Sequence, residues 1–142
     1  MRIVIDAFGG DKAPVSNVLG AALAYGKFGV DITLTGDEKA INKIISDNSL
    51  DLGPNFKIVD TKEVFDMHEE PTSILKEHIN SSLGKAFTEL AEDRADALVS
   101  AGSTGAIVVG GTLIVKRIRG IKRPALAGIM PSPNGNYMLM DM

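Results

Sequence analysis

Two hydrophobic periods take turns along this chain. Residues 2–8 form a short, largely apolar run closed by Gly9 and Gly10, the pattern of a buried strand. After a loop of Gly9, Gly10, Asp11, Lys12, Ala13 and Pro14, the apolar positions Val15, Val18, Leu19, Ala22, Leu23 and Tyr25 recur at helical spacing. Pro14 suits the first turn of that helix, and Lys27 with Gly29 supplies the cation and the glycine that helix ends favour. Residues 30–35 alternate and are β-branched at several positions, which predicts a second strand. Asp37 is placed to cap a helix running to about residue 48. Residues 56–59 form a third strand after the Gly53-Pro54 break.

Residues 72–92 carry the longest helical pattern, with Leu75, Ile79, Leu83, Ala86, Phe87, Leu90 and Ala91 in one stripe. Residues 97–100 read as a fourth strand. Residues 104–118 read as a helix that is apolar on nearly every side, and so buried between the sheet and a partner. Residues 125–130 and 137–142 are further strands, joined by a hairpin-type or loop connection at 131–136. Strand and helix alternating four times predict one α/β domain, a three-layer α/β/α fold with a largely parallel sheet. The last apolar run stops inside a strand at Asp141 and Met142. The expectation is a fold cut part-way, or one on which a second half packs.

Composition narrows the class. A chain of 142 residues fits one domain, and 44% hydrophobic residues with a net charge of −3 exclude intrinsic disorder. The absence of Cys excludes a disulfide scaffold, a thiolate zinc site and a Cys nucleophile, and fits a cytosolic protein. The net charge speaks against nucleic acid as a partner. Its distribution is uneven. Lys116, Arg117, Arg119, Lys122 and Arg123 fall within eight positions, and elsewhere ten basic residues face eighteen acidic ones, a net −8. The cluster is either a dock for an anionic partner or a solvated loop. Asp6 and Asp11 interrupt any signal-peptide core. Residues 97–115 are uncharged over nineteen positions, the length of a membrane span, but Gly102, Ser103, Thr104 and Gly105 read as a strand-to-helix turn within them.

Two loops carry candidate chemistry, because ligands of parallel sheets bind where strands lead into helices. In the first, Gly9 and Gly10 sit between Asp6 and Asp11. It is either a substrate loop positioned or polarised by those carboxylates, or a tight turn in which Asp11 caps the next helix. It lacks the three-glycine dinucleotide fingerprint and a Walker ending. In the second, Ser100, Ala101, Gly102, Ser103, Thr104 and Gly105 join a strand to a helix. Small residues there leave backbone N–H groups and hydroxyls for a phosphate or carboxylate. The alternative is a cap made by Ser103 or Thr104, with glycines kept for packing. Arg117 and Arg123 are the better candidates for a second anion contact, since guanidinium grips phosphate at two points. His68 and His78 have no metal-site spacing, and no G-x-S-x-G elbow accompanies a serine triad. No metal or cofactor is expected.

The motifs R-I-V-I-D-A-F-G-G-D-K-A-P at 2–14, T-L-T-G-D at 33–37, N-S-S-L at 80–83, A-D-A-L-V-S-A-G-S-T-G-A at 95–106 and I-R-G-I-K-R-P-A-L-A at 118–127 occur in one order over the whole chain. In this the sequence resembles the N-terminal part of the bacterial phosphate acyltransferase family, PlsX. The resemblance implies a fold like that of the isopropylmalate dehydrogenase and phosphotransacetylase group. It also implies transfer of a fatty acyl group from acyl-acyl carrier protein to inorganic phosphate, giving acyl phosphate for phospholipid synthesis. Members are typically cytoplasmic homodimers that associate peripherally with the inner face of the membrane. The family usually has Met at Phe8, His at Lys12, Asn at Ser103, and a pair of Lys where His78 and Ile79 stand. It runs to more than twice this length, and its Asp-x-Gly-Ala-Asn motif would begin at Asp141.

On that resemblance phosphate sits on Gly102, Ser103, Thr104 and Gly105, helped by Arg123 or Arg117. Gly9, Gly10, Asn80 and Ser81 line the substrate loop. Asp6, Asp11, Ser103 and Thr104 are the catalytic candidates, the two Asp shaping the first loop. The basic run is a dock for the acidic carrier protein or for a membrane surface. The competing readings are a phosphotransacetylase-like enzyme acting on acyl-coenzyme A and a non-catalytic phosphate-binding or assembly module, with dinucleotide binding weaker.

Overall fold

The computed structural model describes residues 1–122 and 124–140. The elements are β1 (Arg2–Asp6), α1 (Val15–Phe28), β2 (Asp31–Gly36), α2 (Glu38–Asp47), β3 (Lys57–Asp60), a 3-10 turn (Pro71–Leu75), α3 (Ser82–Ala91), β4 (Ala97–Val99), α4 (Thr104–Gly110) with a π turn (Gly111–Val115), β5 (Ala127–Ser132) and β6 (Gly135–Met140). The first four strands form a parallel sheet in the order β3-β2-β1-β4. The α/β architecture with a parallel sheet and helices on both of its faces is therefore as the alternation predicts.

Side chains of successive strand residues point to opposite faces, so each strand feeds two cores. On one face Ile32 and Leu34 of β2 pack with Val18 and Ala21 of α1 and Ile41 of α2. On the other, Val4 packs with Ala86 of α3, and Phe65, Ile74, Leu83, Phe87 and Ala106 form an adjoining cluster. The α1 face is incomplete beside β4. An apolar groove of about 730 Å³ runs there, lined among others by Ile3, Ile5, Ala24, Phe28 and Val99.

Local signals act as expected at several ends. Gly29 closes α1 in the left-handed conformation (φ 61°), its N–H donating to Tyr25 O at 2.8 Å. Asp37 caps α2 by accepting from Lys39 N at 2.9 Å and Ala40 N at 3.1 Å. At the amino ends of the strands Arg2 donates to Asp96 Oδ1 at 2.6 Å, tying β1 to β4. That bond holds the Asp96 carboxyl below its ordinary range, with the backbone N–H of Arg2 adding to the effect.

Three expectations are corrected, the last of them only in its bounds. Residues 72–92 are not one helix. The stripe breaks after the 3-10 turn because Ser81, fully buried, caps α3 by accepting from Gly84 N at 3.2 Å, while its neighbours bond sideways. Thr61 Oγ1 donates to Asn80 O at 2.6 Å and Ser82 N donates to Glu63 O at 2.8 Å. The helix read over 104–118 holds α-helical form only to Gly110, passes through the π turn and ends at Lys116, whose φ is 75°. It is not buried all round, since Val108 and Leu113 are exposed. The last two strands pair with each other in a separate antiparallel sheet, and the connection narrows to Pro133 and Asn134, with Pro131, Ser132, Gly135 and Asn136 inside the strands. Asp141 and Met142 lie outside the described residues.

Candidate functional site

In the strand order β3-β2-β1-β4 the direction of winding reverses between β1 and β4, and crevices at such switch points receive ligands. The two loops singled out in the sequence are the ones that leave β1 and β4 there. Ile5 is level with Val99, so Asp6 and Ser100 stand side by side just beyond. Asp6 is only 2% exposed. Its Oδ2 accepts from Ser100 Oγ at 2.8 Å and its Oδ1 accepts from Phe8 N at 3.2 Å. Ser100 Oγ in turn accepts from Gly102 N at 3.0 Å. The carboxylate, the hydroxyl and the amide form one chain of hydrogen bonds across both loops.

Gly9 makes that approach possible. A Cβ there would lie 2.5 Å from Asp6 Oδ2, 2.7 Å from Ser100 Oγ and 2.9 Å from Gly102 N. Gly10 follows with φ 95°, a region L side chains rarely adopt, and packs on Ala101. Beside them a groove of about 370 Å³ is lined by Gly9, Gly10, Asp11, Lys12, Asn17 and Met67 among others. Asp11 is exposed on its rim, and it does not cap α1, whose N-cap position is Pro14 without a side-chain bond.

On the other loop Ser103 is the N-cap of α4, its Oγ accepting from Ala106 N at 3.3 Å. An Asn, usual in the family that the sequence resembles, suits the same capping position. Thr104 is exposed at the helix start. Gly105 packs against Pro71, whose Cγ would lie 2.8 Å from an added Cβ. The Gly102 amide is taken by Ser100.

Asn80 and Ser81 sit apart from these two loops in bonding terms. Asn80 Oδ1 accepts from Lys85 Nζ at 2.9 Å, and Ser81 Oγ donates to His78 O at 2.6 Å. His78 Nδ1 lies 2.8 Å from Glu63 Oε1 and its Nε2 3.8 Å from Glu69 Oε2. Arg117 is exposed and donates to Lys122 O within its own loop. Arg123 lies outside the described residues. The sequence reading did not single out Asn17 of α1, whose Nδ2 donates to Asp6 O at 3.2 Å, Ala7 O at 3.1 Å and Gly9 O at 2.9 Å. A polar amide on a helix otherwise rich in Val, Leu and Ala was the available signal.

Residues 1–142 match the family described as fatty acid synthesis protein. The chain belongs to that family. It is 37% identical over 142 residues to a phosphate acyltransferase of Geotalea uraniireducens (strain Rf4), covering all of this chain and 41% of the relative. It is 42% identical over 145 residues to a phosphate acyltransferase of Clostridium beijerinckii, covering all of this chain and 43% of the relative. It is 40% identical over 142 residues to one from Clostridium novyi, covering 99% and 42%. The chain therefore spans about two fifths of the length of these family members. Among the described residues, no helix is long and apolar enough to cross a membrane.

Proposed function

We propose that this chain is the N-terminal part of a phosphate acyltransferase that moves a fatty acyl group from acyl-acyl carrier protein to inorganic phosphate. The observation that carries the reading is the meeting of the glycine loop and the serine loop at the switch point, in a chain whose relatives bear that enzyme name. Phosphate sits at the start of α4, where the N–H groups of Thr104 and Gly105 precede the first helical bonds, with the hydroxyls of Ser103 and Thr104 beside them. Gly102 contributes its close backbone rather than its amide, which Ser100 holds.

A phosphate oxygen attacks the thioester carbonyl carbon. A C–O bond forms, the C–S bond breaks, and the pantetheine sulfur leaves as thiolate and is protonated from water. Positioning and stabilisation of the oxyanion suffice for so good a leaving group. Asp6, buried and spoken for, shapes the loop; Asp11 and Lys12 face the groove. Arg117 with Lys116, Arg119 and Lys122 forms the dock for an acidic carrier protein, with Arg123 in the same run. Homodimer formation and contact with the inner face of the membrane belong to the same reading, as does a cytoplasmic location.

The test is phosphate-dependent release of thiol from palmitoyl-acyl carrier protein. It is run with this chain and with the same residues carried in a chain of family length. Release by the longer chain only when phosphate is present supports the reading. Equal release without phosphate, or release from acyl-coenzyme A but not from the carrier protein, overturns it.

A further inference from the structure

Three backbone carbonyl oxygens of the glycine loop converge on a single atom. Asp6 O, Ala7 O and Gly9 O all lie within 3.2 Å of Asn17 Nδ2. Convergence of three acceptors fixes the orientation of the carboxamide, because its oxygen in that place would face three like partners. The loop curls so that these carbonyls face α1. A curled run of that kind turns the opposite side of the loop outward, toward Ser100 and Gly102. Gly9 comes so near those two residues that a Cβ on it would lie 2.7 Å from Ser100 Oγ and 2.9 Å from Gly102 N. Asn17 also lines the groove that holds Asp11 and Lys12. The residue therefore stands behind the loop, on a rigid helix, and its donor is the part of α1 that grips it.

We propose that Asn17 is the positioning residue of the anion site. Its carboxamide holds the glycine loop closed against the serine loop, and so sets the distance between the backbone at Gly9 and the turn at Gly102 and Ser103. The inference rests on the function proposed above but not on turnover alone. Asn17 acts through the carbonyls of Asp6, Ala7 and Gly9. Without it those carbonyls turn to water, the loop opens, and the anion loses one wall of its site.

The experiment compares the family-length chain with its Asn17→Ala and Asn17→Asp forms. Amide hydrogen exchange at Ala7 and Phe8, whose N–H groups donate to Thr35 O and Asp6 Oδ1, is followed with and without inorganic phosphate, and thiol release is measured beside it. Asn17→Ala is expected to speed exchange at these amides at least tenfold while the amides of β2 and α3 stay protected. The KM for phosphate is expected to rise about tenfold with kcat and the KM for the acyl donor little changed. Asn17→Asp, which sets an acceptor against three acceptors, is expected to be worse than Ala on both counts. Unchanged exchange in Asn17→Ala overturns the proposal whatever the activity. A uniform rise across the sheet with no change in KM also overturns it, because that marks a purely structural clamp. Faster loop exchange in Asn17→Ala when the unsubstituted family-length chain itself releases no thiol upholds the positioning contact and strikes the acyl-transfer reading instead.

Discussion

Ser100 Oγ donates to Asp6 Oδ2 at 2.8 Å, joining two residues 94 positions apart in the chain. The acceptor is a buried carboxylate, so the bond belongs to the stronger class, and its removal leaves Asp6 with a single amide partner. Ser100→Ala is expected to lower stability by about 1–3 kcal/mol. Urea midpoints of the two forms measure this, and an unchanged midpoint refutes it. In the family-length chain the same change is expected to reduce phosphate-dependent turnover.

The ion pair at the other end of the sheet predicts a pH dependence. The Arg2 guanidinium bonds the Asp96 carboxylate and keeps its pKa below the ordinary carboxylate value, so the native state binds that proton less readily than the unfolded chain does. The stability it contributes is full above the unfolded value and is lost as pH falls through the native one. Asp96→Asn is expected to flatten the acid limb of stability against pH and to leave the remainder of the curve shifted downward. Midpoints collected between neutral pH and pH 2 check this.

Two glycines, one in the middle of α1 and one at the end of α4, should respond in opposite directions. Gly20 lies in the middle of α1, and a Cβ on it would meet nothing within 4 Å. Gly20→Ala is expected to stabilise by about 0.5–1 kcal/mol. A Cβ on Gly110 would lie 2.2 Å from Cε2 of Phe87, whose ring is buried and cannot swing away. Gly110→Ala is expected to destabilise by about 1–3 kcal/mol. Thermal melts of both variants decide, and the same sign for both is the adverse result.

Ser82 offers a simpler test. Its hydroxyl is buried at the first turn of α3 with no hydrogen-bond partner among the described residues. Ser82→Ala removes an unsatisfied group and adds a better helix former, so it is expected to raise stability by up to about 1 kcal/mol. Urea midpoints of the two forms check this, and a loss of stability refutes it.

What the sequence disclosed follows from which forces are local. The strands β1 to β4, the caps at Asp37 and Gly29 and the two candidate loops were legible, because period, capping chemistry and glycine spacing are written within a few residues. The break at Ser81 was not, because it depends on Thr61 and Glu63, some twenty residues upstream, drawing Asn80 and Ser82 out of helical bonding. The exposure of α4 was misread for a related reason. Apolar residues on every side signal burial, but they do not say whether the burying partner lies within these residues. Of the candidate residues, Asp6, Gly9, Gly10 and Gly102 lie together, and Asn80 and Ser81 lie at the start of α3. Asn17 was missed because its three acceptors are backbone atoms, which no side-chain pattern displays.

The β5–β6 hairpin has a consequence for handling the protein. Ile129, Tyr137, Met138 and Met140 are all exposed on it, and among the described residues it shares no strand pairing with the parallel sheet. An isolated two-stranded ribbon is marginal in water. The segment leading to it holds Lys116, Arg117, Arg119 and Lys122, all on the surface. Trypsin therefore meets four accessible cleavage points before it meets the sheet. Resistance at those points becomes a gauge of how completely the hairpin is covered, readable on a gel without any assay of catalysis.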